Sequence, residues 1–204
     1  MSRPRKIVCV GRNYVDHAKE LGNEMPKEPL IFLKPTSSLV ADGEAIELPP
    51  QSAQVEWEGE IGVVIGTRLR HASAEAARGA IASIVALNDV TARDLQRSDG
   101  QWTRAKGFDT FCPVGAPGAV PNDLSSLEVV TRVNGAERQR GRAADMAFDI
   151  PTLLAYISAV MTLEPGDLVA TGTPAGVGKL SAGDEVEVEV VGVSRVRNPV
   201  ITSR

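Results

Sequence analysis

The segment VEWEGEIGVVIG, residues 55–66, carries carboxylates at Glu56, Glu58 and Glu60, spaced two apart. Read as a strand, that spacing points all three to one face, about 7 Å from one another. At an effective dielectric near ~20 each adjacent pair repels by about 2 kcal/mol, and by well under ~1 kcal/mol when fully hydrated. A solvated strand face tolerates such charges, whereas a cation held between them removes the repulsion. Asp89 sharpens the choice, because in IVALNDVTARD it closes an apolar run where a solvated charge is not expected. Carboxylates acting as all-oxygen ligands favour Mg²⁺, Mn²⁺ or Ca²⁺. Two histidines and no cysteine cluster argue against zinc. On these residues alone the solvated face and the hard-metal site both stand.

The two histidines differ. His71 lies in the polar connection RLRHASAE and reads as exposed. His17 lies on a short helix with Glu20 three residues on, which puts both side chains on one face. Such a pair is either an ordinary helix-surface contact or an acid/base dyad in which the carboxylate orients the imidazole. Arg104 and Lys106, taken alone, read as solvated charges in a long irregular segment, while Lys34 interrupts an apolar strand in FLKPTS. A cation beside a carboxylate-held metal would suit an anionic substrate. GTPAGVGKL fails as a phosphate loop: Thr173 stands five residues before Gly178, Leu180 replaces the hydroxyl residue, and a β-type tail follows.

The elements that must position these groups are mostly strands. KIVCVG reads as the first strand, NYVDHAKELG as a helix stopped by Gly22, and LIFLKP as the next strand. The glutamate strand runs into IGVVIG. SAEAARGAIASIVALNDV begins as a helix capped by Ser73 and turns into a strand. TARDLQRSDGQWTRAKGFDTFCPVG reads as irregular and too long for an idle connection. FDIPTLLAYISAV is a helix with Asp149 at its cap and Pro151 in its first turn. The tail from residue 163 reads as antiparallel strands cut by Gly-Asp turns. The fold class expected is mainly β with few helices (α+β), in one domain over residues 1–204.

With 204 residues, 43% hydrophobic and 24% charged, the composition is that of a soluble globular protein. A net charge of −4 argues against nucleic acid or an anionic membrane as partner. IVCV is too short for the core of a signal peptide, and no stretch approaches a spanning helix. Cys9 and Cys112 read as reduced and partly buried, consistent with a cytoplasmic protein.

Taken together, KIVCVGRNYVDHAKELG, PLIFLKPTSSL, VEWEGEIGVVIG, ALNDVTARDLQ, WTRAKGFDTFCPVG and LEPGDLVATGTPAGVG resemble, in order and spacing, the fumarylacetoacetate hydrolase family. The resemblance spans nearly the whole chain. It is nearest to the compact branch of acylpyruvases and oxaloacetate decarboxylases, which lacks an extra N-terminal domain. It implies a mixed β-sandwich roll, a homodimer, and Mg²⁺ or Mn²⁺ held by Glu58, Glu60 and Asp89, with Glu56 behind them or at the rim. It also implies that His17 and Glu20 form a water-activating dyad on a mobile lid, residues 13–28, and that Lys106 is catalytic. Arg12, Lys34, Gln96 and Thr173 fall on positions resembling substrate contacts. The connection RSDGQ, residues 97–101, is shorter than expected in this branch, which bears on substrate range more than on chemistry.

The implied substrate is a small 2-oxo acid. Chelated through its carboxylate and keto oxygens, it would form an enolate when a bond at C3 breaks. Acylpyruvate hydrolysis, with accompanying oxaloacetate decarboxylation, is the leading expectation. A 2-hydroxyhepta-2,4-diene-1,7-dioate isomerase or decarboxylase of aromatic catabolism is the alternative. A catalytically silent dimer would be expected to have lost a ligand or the dyad, and neither is lost.

Overall fold

The computed structural model describes residues 3–20, 22 and 24–203. In chain order the strands and α-helices are β1 (Ile7–Gly11), α1 (Val15–Glu20), β2 (Leu30–Lys34), β3 (Leu39–Val40), β4 (Ile46–Leu48), β5 (Val55–Trp57) and β6 (Gly59–Ile65). There follow α2 (Ala74–Gly79), β7 (Ile81–Asn88), β8 (Thr91–Ala92), α3 (Arg93–Asp99), α4 (Thr103–Lys106), β9 (Cys112–Pro113), β10 (Glu128–Val133) and β11 (Ala136–Arg142). The chain ends with α5 (Ile150–Val160), β12 (Leu168–Ala170), β13 (Gly178–Lys179), β14 (Glu185–Val190) and β15 (Ser194–Thr202). The protein is mainly β with few helices, as its sequence pattern requires.

Two five-stranded sheets carry the structure, ordered β2-β1-β12-β6-β7 and β11-β10-β14-β15-β4. Their facing sides share one core, in which Val8, Ile61, Val63 and Ile84 of the first sheet join Val129, Val188 and Val196 of the second. Helix α5 adds Leu153, Leu154 and Ile157 to that core. β6 is buried along its whole length, so its apolar run covers both faces rather than alternating. The other face of the first sheet packs Ile7, Cys9, Val85 and Leu87 on Cys112. A three-stranded sheet, β13-β5-β8, covers the end where the candidate site lies.

Several expectations are corrected here. The glutamate segment is not one strand: β5 ends at Trp57 and β6 begins at Gly59, and the two belong to different sheets. The segment after Asp89 is not irregular but holds α3 and α4. The tail is not purely antiparallel, since β12 runs parallel to β1 and β15 parallel to β4. Alternation along a strand says nothing about the direction of a partner 161 residues away, as Ile7 is from Leu168. Both cysteines are free and fully buried, not partly so; burial pushes the Cys112 thiol up to about 12. His71 is exposed, as expected. No α-helix of the described residues is long and apolar enough to cross a membrane.

The Asp149 cap is present, its side chain accepting the Thr152 N–H with Pro151 in the first turn. Asp149→Ala is expected to lower stability by about 1 kcal/mol, read as a shift in the urea midpoint with unchanged slope.

Candidate metal centre and adjoining cavity

The β5–β6 break builds the centre. Glu58 sits in it, its N–H donating to Asn88 Oδ1 at 2.9 Å and its carbonyl accepting the Asp89 N–H at 2.8 Å. That clamps the carboxylate-bearing break to the end of β7, where the register pairs Gly59 with Asn88 and Glu60 with Leu87. Gly59 has no substitute here, because a Cβ on it would lie 1.9 Å from Thr131 Oγ1. Its N–H donates to Gln139 Oε1 at 3.0 Å, and its carbonyl accepts from Thr173 Oγ1 at 2.9 Å. The Gln139 amide then donates to Thr173 Oγ1 and the Pro174 carbonyl, joining the break to the 171–176 loop.

Glu58, Glu60 and Asp89 are all buried and offer one oxygen each within 4.8 Å of one another. Three cations compensate them. Lys106 Nζ bridges Glu58 at 2.7 Å and Asp89 at 2.6 Å, Lys34 Nζ donates to the other Asp89 oxygen at 2.7 Å, and Arg93 spans Glu58 at 2.5 Å and Glu56 at 2.7 Å. Lys106 is therefore not the solvated charge that its local sequence suggests: it is buried at the C-terminal end of α4, with its ammonium 5.1 Å from the centre of the Phe32 ring. Glu56 stands behind the triad, tied to Arg93 and to Gln54.

The electrostatics follow from this arrangement. Burial opposes the Glu58 charge, but Lys106, Arg93 and His17 outweigh it and hold the carboxyl well below the usual range. Glu60 goes the other way: burial, then Asp89, then Glu58, push its carboxyl well up, against Lys106 and one hydrogen bond from the Gly172 N–H at 2.7 Å. Four buried carboxylates thus face three buried cations, and protonation of Glu60 balances the count. An all-oxygen donor set with one carboxyl short of a counter-charge fits a hard divalent cation. With that ion and all four carboxylates ionised, the centre carries one net positive charge, which suits an anionic ligand.

Beside the centre lies a cavity of about 30 Å³ lined by Gly11, Arg12, His17, Glu58, Arg93, Gln96, Trp102 and Thr173. His17 is buried on α1, and its Nδ1 is 3.2 Å from Glu20 Oε2. A carboxylate only accepts, so Nδ1 donates to it, and in the neutral imidazole Nε2 is then the acceptor. Glu20 also accepts the Gly176 N–H, and the Asn13 amide donates to the carbonyls of Phe148 and Thr171, so α1 lies docked on the loop that carries Thr173. Within residues 13–28, expected from the sequence to form a lid, residues 21 and 23 lie outside the described residues.

Over residues 6–201 the chain matches the family described as fumarylacetoacetate (FAA) hydrolase C-terminal. The chain belongs to the fumarylacetoacetate hydrolase family. It is 46% identical over 198 residues to the mitochondrial oxaloacetate tautomerase FAHD1 of Arabidopsis thaliana, covering 93% of this chain and 90% of that one. It is 44% identical over 198 residues to the mitochondrial oxaloacetate decarboxylase of Dictyostelium discoideum, covering 93% and 90%. Among solved structures it resembles 2-hydroxyhepta-2,4-diene-1,7-dioate isomerase from Mycobacterium marinum, with a TM-score of 0.90, 45% identity, and 98% and 76% of the two chains covered.

In this fumarylacetoacetate hydrolase-family chain, then, the structure brings together Glu58, Glu60, Asp89 and Lys106, and places His17, Arg12, Gln96 and Thr173 around the adjoining cavity. Lys34 is placed differently from the expectation: it stands behind Asp89 rather than on the cavity wall. Sequence reasoning missed Arg93, Asn88 and Gln139. Arg93 had a signal, four residues past Asp89 beside a buried strand end. Gln139 had none, since its strand, AERQRGR, reads as solvated.

Because Glu60 keeps its proton above the usual carboxylate range, cation binding must release it. The expected result is an affinity for Mg²⁺ or Mn²⁺ that rises by up to about tenfold per pH unit until Glu60 is ionised, measured by calorimetry. The metal-free protein is expected to lose stability as pH rises from the usual carboxylate range towards the raised folded value, because the unfolded chain gives up this proton first.

Proposed function

We propose that the chain is a Mg²⁺- or Mn²⁺-dependent enzyme that breaks a bond at C3 of a 2-oxo acid, hydrolysing acylpyruvates and decarboxylating oxaloacetate. The observation that carries this reading is that His17, hydrogen-bonded to Glu20, faces Glu58 across one small cavity with Arg93 on its wall, while Lys106 bonds Glu58 from outside it. Glu58, Glu60 and Asp89 would hold the ion, whose chemistry is to draw electrons from the keto group and favour enolate formation.

The chain's own residues supply the rest. Arg12 and Arg93 attract the carboxylate, and Gln96 and Thr173 orient it. His17, polarised by Glu20, takes a proton from water as the oxygen attacks the distal carbonyl of an acylpyruvate. The C3–C4 bond then breaks, its electron pair enters the enolate, and a proton returned to C3 gives pyruvate beside a carboxylic acid. Lys106, kept charged by Asp89 and Glu58 against the effect of burial, stabilises the negative charge as it develops. With oxaloacetate no water is consumed: loss of CO₂ leaves the same enolate, and a proton is taken up at C3.

A second reading rests on the names of the relatives. One relative is an oxaloacetate tautomerase; in keto–enol tautomerisation the His17–Glu20 dyad would move a proton between C3 and the keto oxygen. The test follows pyruvate release from acetylpyruvate and from oxaloacetate, with Mg²⁺ and with EDTA, together with decay of the oxaloacetate enol absorbance. Mg²⁺-dependent pyruvate from acetylpyruvate supports the hydrolase, and enol decay without pyruvate supports the tautomerase. No turnover of either compound by metal-loaded protein counts against both and turns attention to diene-dioate isomerisation.

His17→Ala is expected to cut acylpyruvate hydrolysis by about 10²–10⁴-fold while leaving Mn²⁺ affinity within a few-fold of wild type. Equal loss of both would place His17 in the metal centre rather than in proton transfer. The reading also includes a cytoplasmic homodimer, with residues 13–28 opening as a lid; sedimentation equilibrium checks the oligomeric state.

A further inference from the structure

A second, larger cavity of about 580 Å³ adjoins the first. Arg12 and Trp102 line both, so they stand at the border between them. Strand β2 connects the two regions chemically. Its alternate residues Lys34, Phe32 and Leu30 share a face, with about 7 Å between successive members. Lys34 donates to Asp89 in the charged centre, and Phe32 meets Lys106 on one side and the Trp102 ring, edge-on at 5.1 Å, on the other. Leu30 extends the same face outward into the larger cavity, where it remains 37% exposed. Gly11, the β1 partner of Leu30, makes room for the indole, since a Cβ there would lie 2.8 Å from the Trp102 ring.

The far wall comes from the short connection after α3. Gly100 and Gln101 line it, and a Cβ built on Gly100 would meet nothing within 4 Å. Acetylpyruvate and oxaloacetate do not need this volume. Leu30, Ile31, Phe32, Leu33 and Trp102 make most of its wall, Gln101 and Thr103 add polar groups, and Arg12, at the border, is the one charged lining residue among the described residues.

We propose that this cavity is a subsite for an apolar tail on the substrate, so that the preferred 2-oxo acids carry an alkyl or aromatic acyl group rather than acetyl or a second carboxylate. The inference rests on the 2-oxo acid reading above. The head group binds at the centre, and the tail passes Trp102 and lies along Phe32 and Leu30. Each methylene buried there is worth about two- to fourfold in affinity.

The experiment measures binding rather than turnover, by calorimetry of the Mg²⁺-loaded protein with pyruvate, 2-oxobutanoate, 2-oxohexanoate, 2-oxooctanoate and the dicarboxylate 2-oxoadipate. The expected result is a stepwise gain with chain length, with 2-oxohexanoate binding more tightly than 2-oxoadipate. In Leu30→Asp the 2-oxooctanoate-to-pyruvate affinity ratio should fall at least about tenfold. A flat series in the wild type, tighter binding of the dicarboxylate, or an unchanged ratio in Leu30→Asp overturns the subsite alone. If no 2-oxo acid binds at any length, the reading of the site as a 2-oxo acid enzyme falls, and the subsite falls with it.

Discussion

Glu58→Gln and Glu58→Ala are each expected to lower metal-dependent turnover by about 10³-fold or more, equivalent to about 4 kcal/mol of lost transition-state stabilisation. The glutamine variant keeps the shape and one carbonyl oxygen but removes the charge that offsets Lys106 and Arg93. Those cations would then face only Glu56 and Asp89 across the same cluster, and Mn²⁺ affinity should fall with activity. Circular dichroism distinguishes loss of function from loss of fold. Full activity in either variant would remove Glu58 from the centre and leave the clustering of the three carboxylates as a structural coincidence.

Lys106→Met is expected to produce the largest stability change. In the metal-free protein Lys106 is, among the described residues, the one side chain that bonds both Glu58 and Asp89, and it is itself buried. Removing one partner of a buried ion pair leaves uncompensated charge and costs about 3–5 kcal/mol. For a chain of this size that is a fall of about 10 °C in melting temperature. Saturating Mg²⁺ should recover much of the loss, because a divalent cation supplies the counter-charge that the ammonium gave. Turnover should stay low even then, since no ammonium stabilises the developing enolate. Two melting curves, with EDTA and with Mg²⁺, check the coupling. A loss that is equal under both conditions would mean that Lys106 and the cation do not serve the same carboxylates.

How much of this was legible in the sequence varies with the residue. Asp149 and Pro151 announced α5, and Ser73 announced α2, because helix caps act through neighbours three residues away. Glu58, Glu60 and Asp89 could be singled out because charge beside an apolar run is costly unless paired. Residues alone left them poised between a wet face and a metal site, and the family resemblance added the grouping. Lys106 was misjudged locally: a lysine in a polar segment looks solvated until the fold buries α4 against β2 and β8.

The sequence by itself determined the strand-rich class, the starts of α2 and α5 and the identity of the groups able to do chemistry, since these depend on periodicity and residue type over short spans. Only the tertiary structure decided that the glutamate strand breaks at Glu58, that Arg93 and Lys106 neutralise the carboxylates from two different helices, and that Gln139 on the opposite sheet fixes Gly59 and Thr173 together. The physical reason is separation along the chain. Gln139 lies 80 residues from Gly59, and Lys106 lies 48 from Glu58. No local pattern encodes a contact whose two halves are shaped by different strands, and burial, which turns a surface charge into half of an ion pair, is a property of the packed whole.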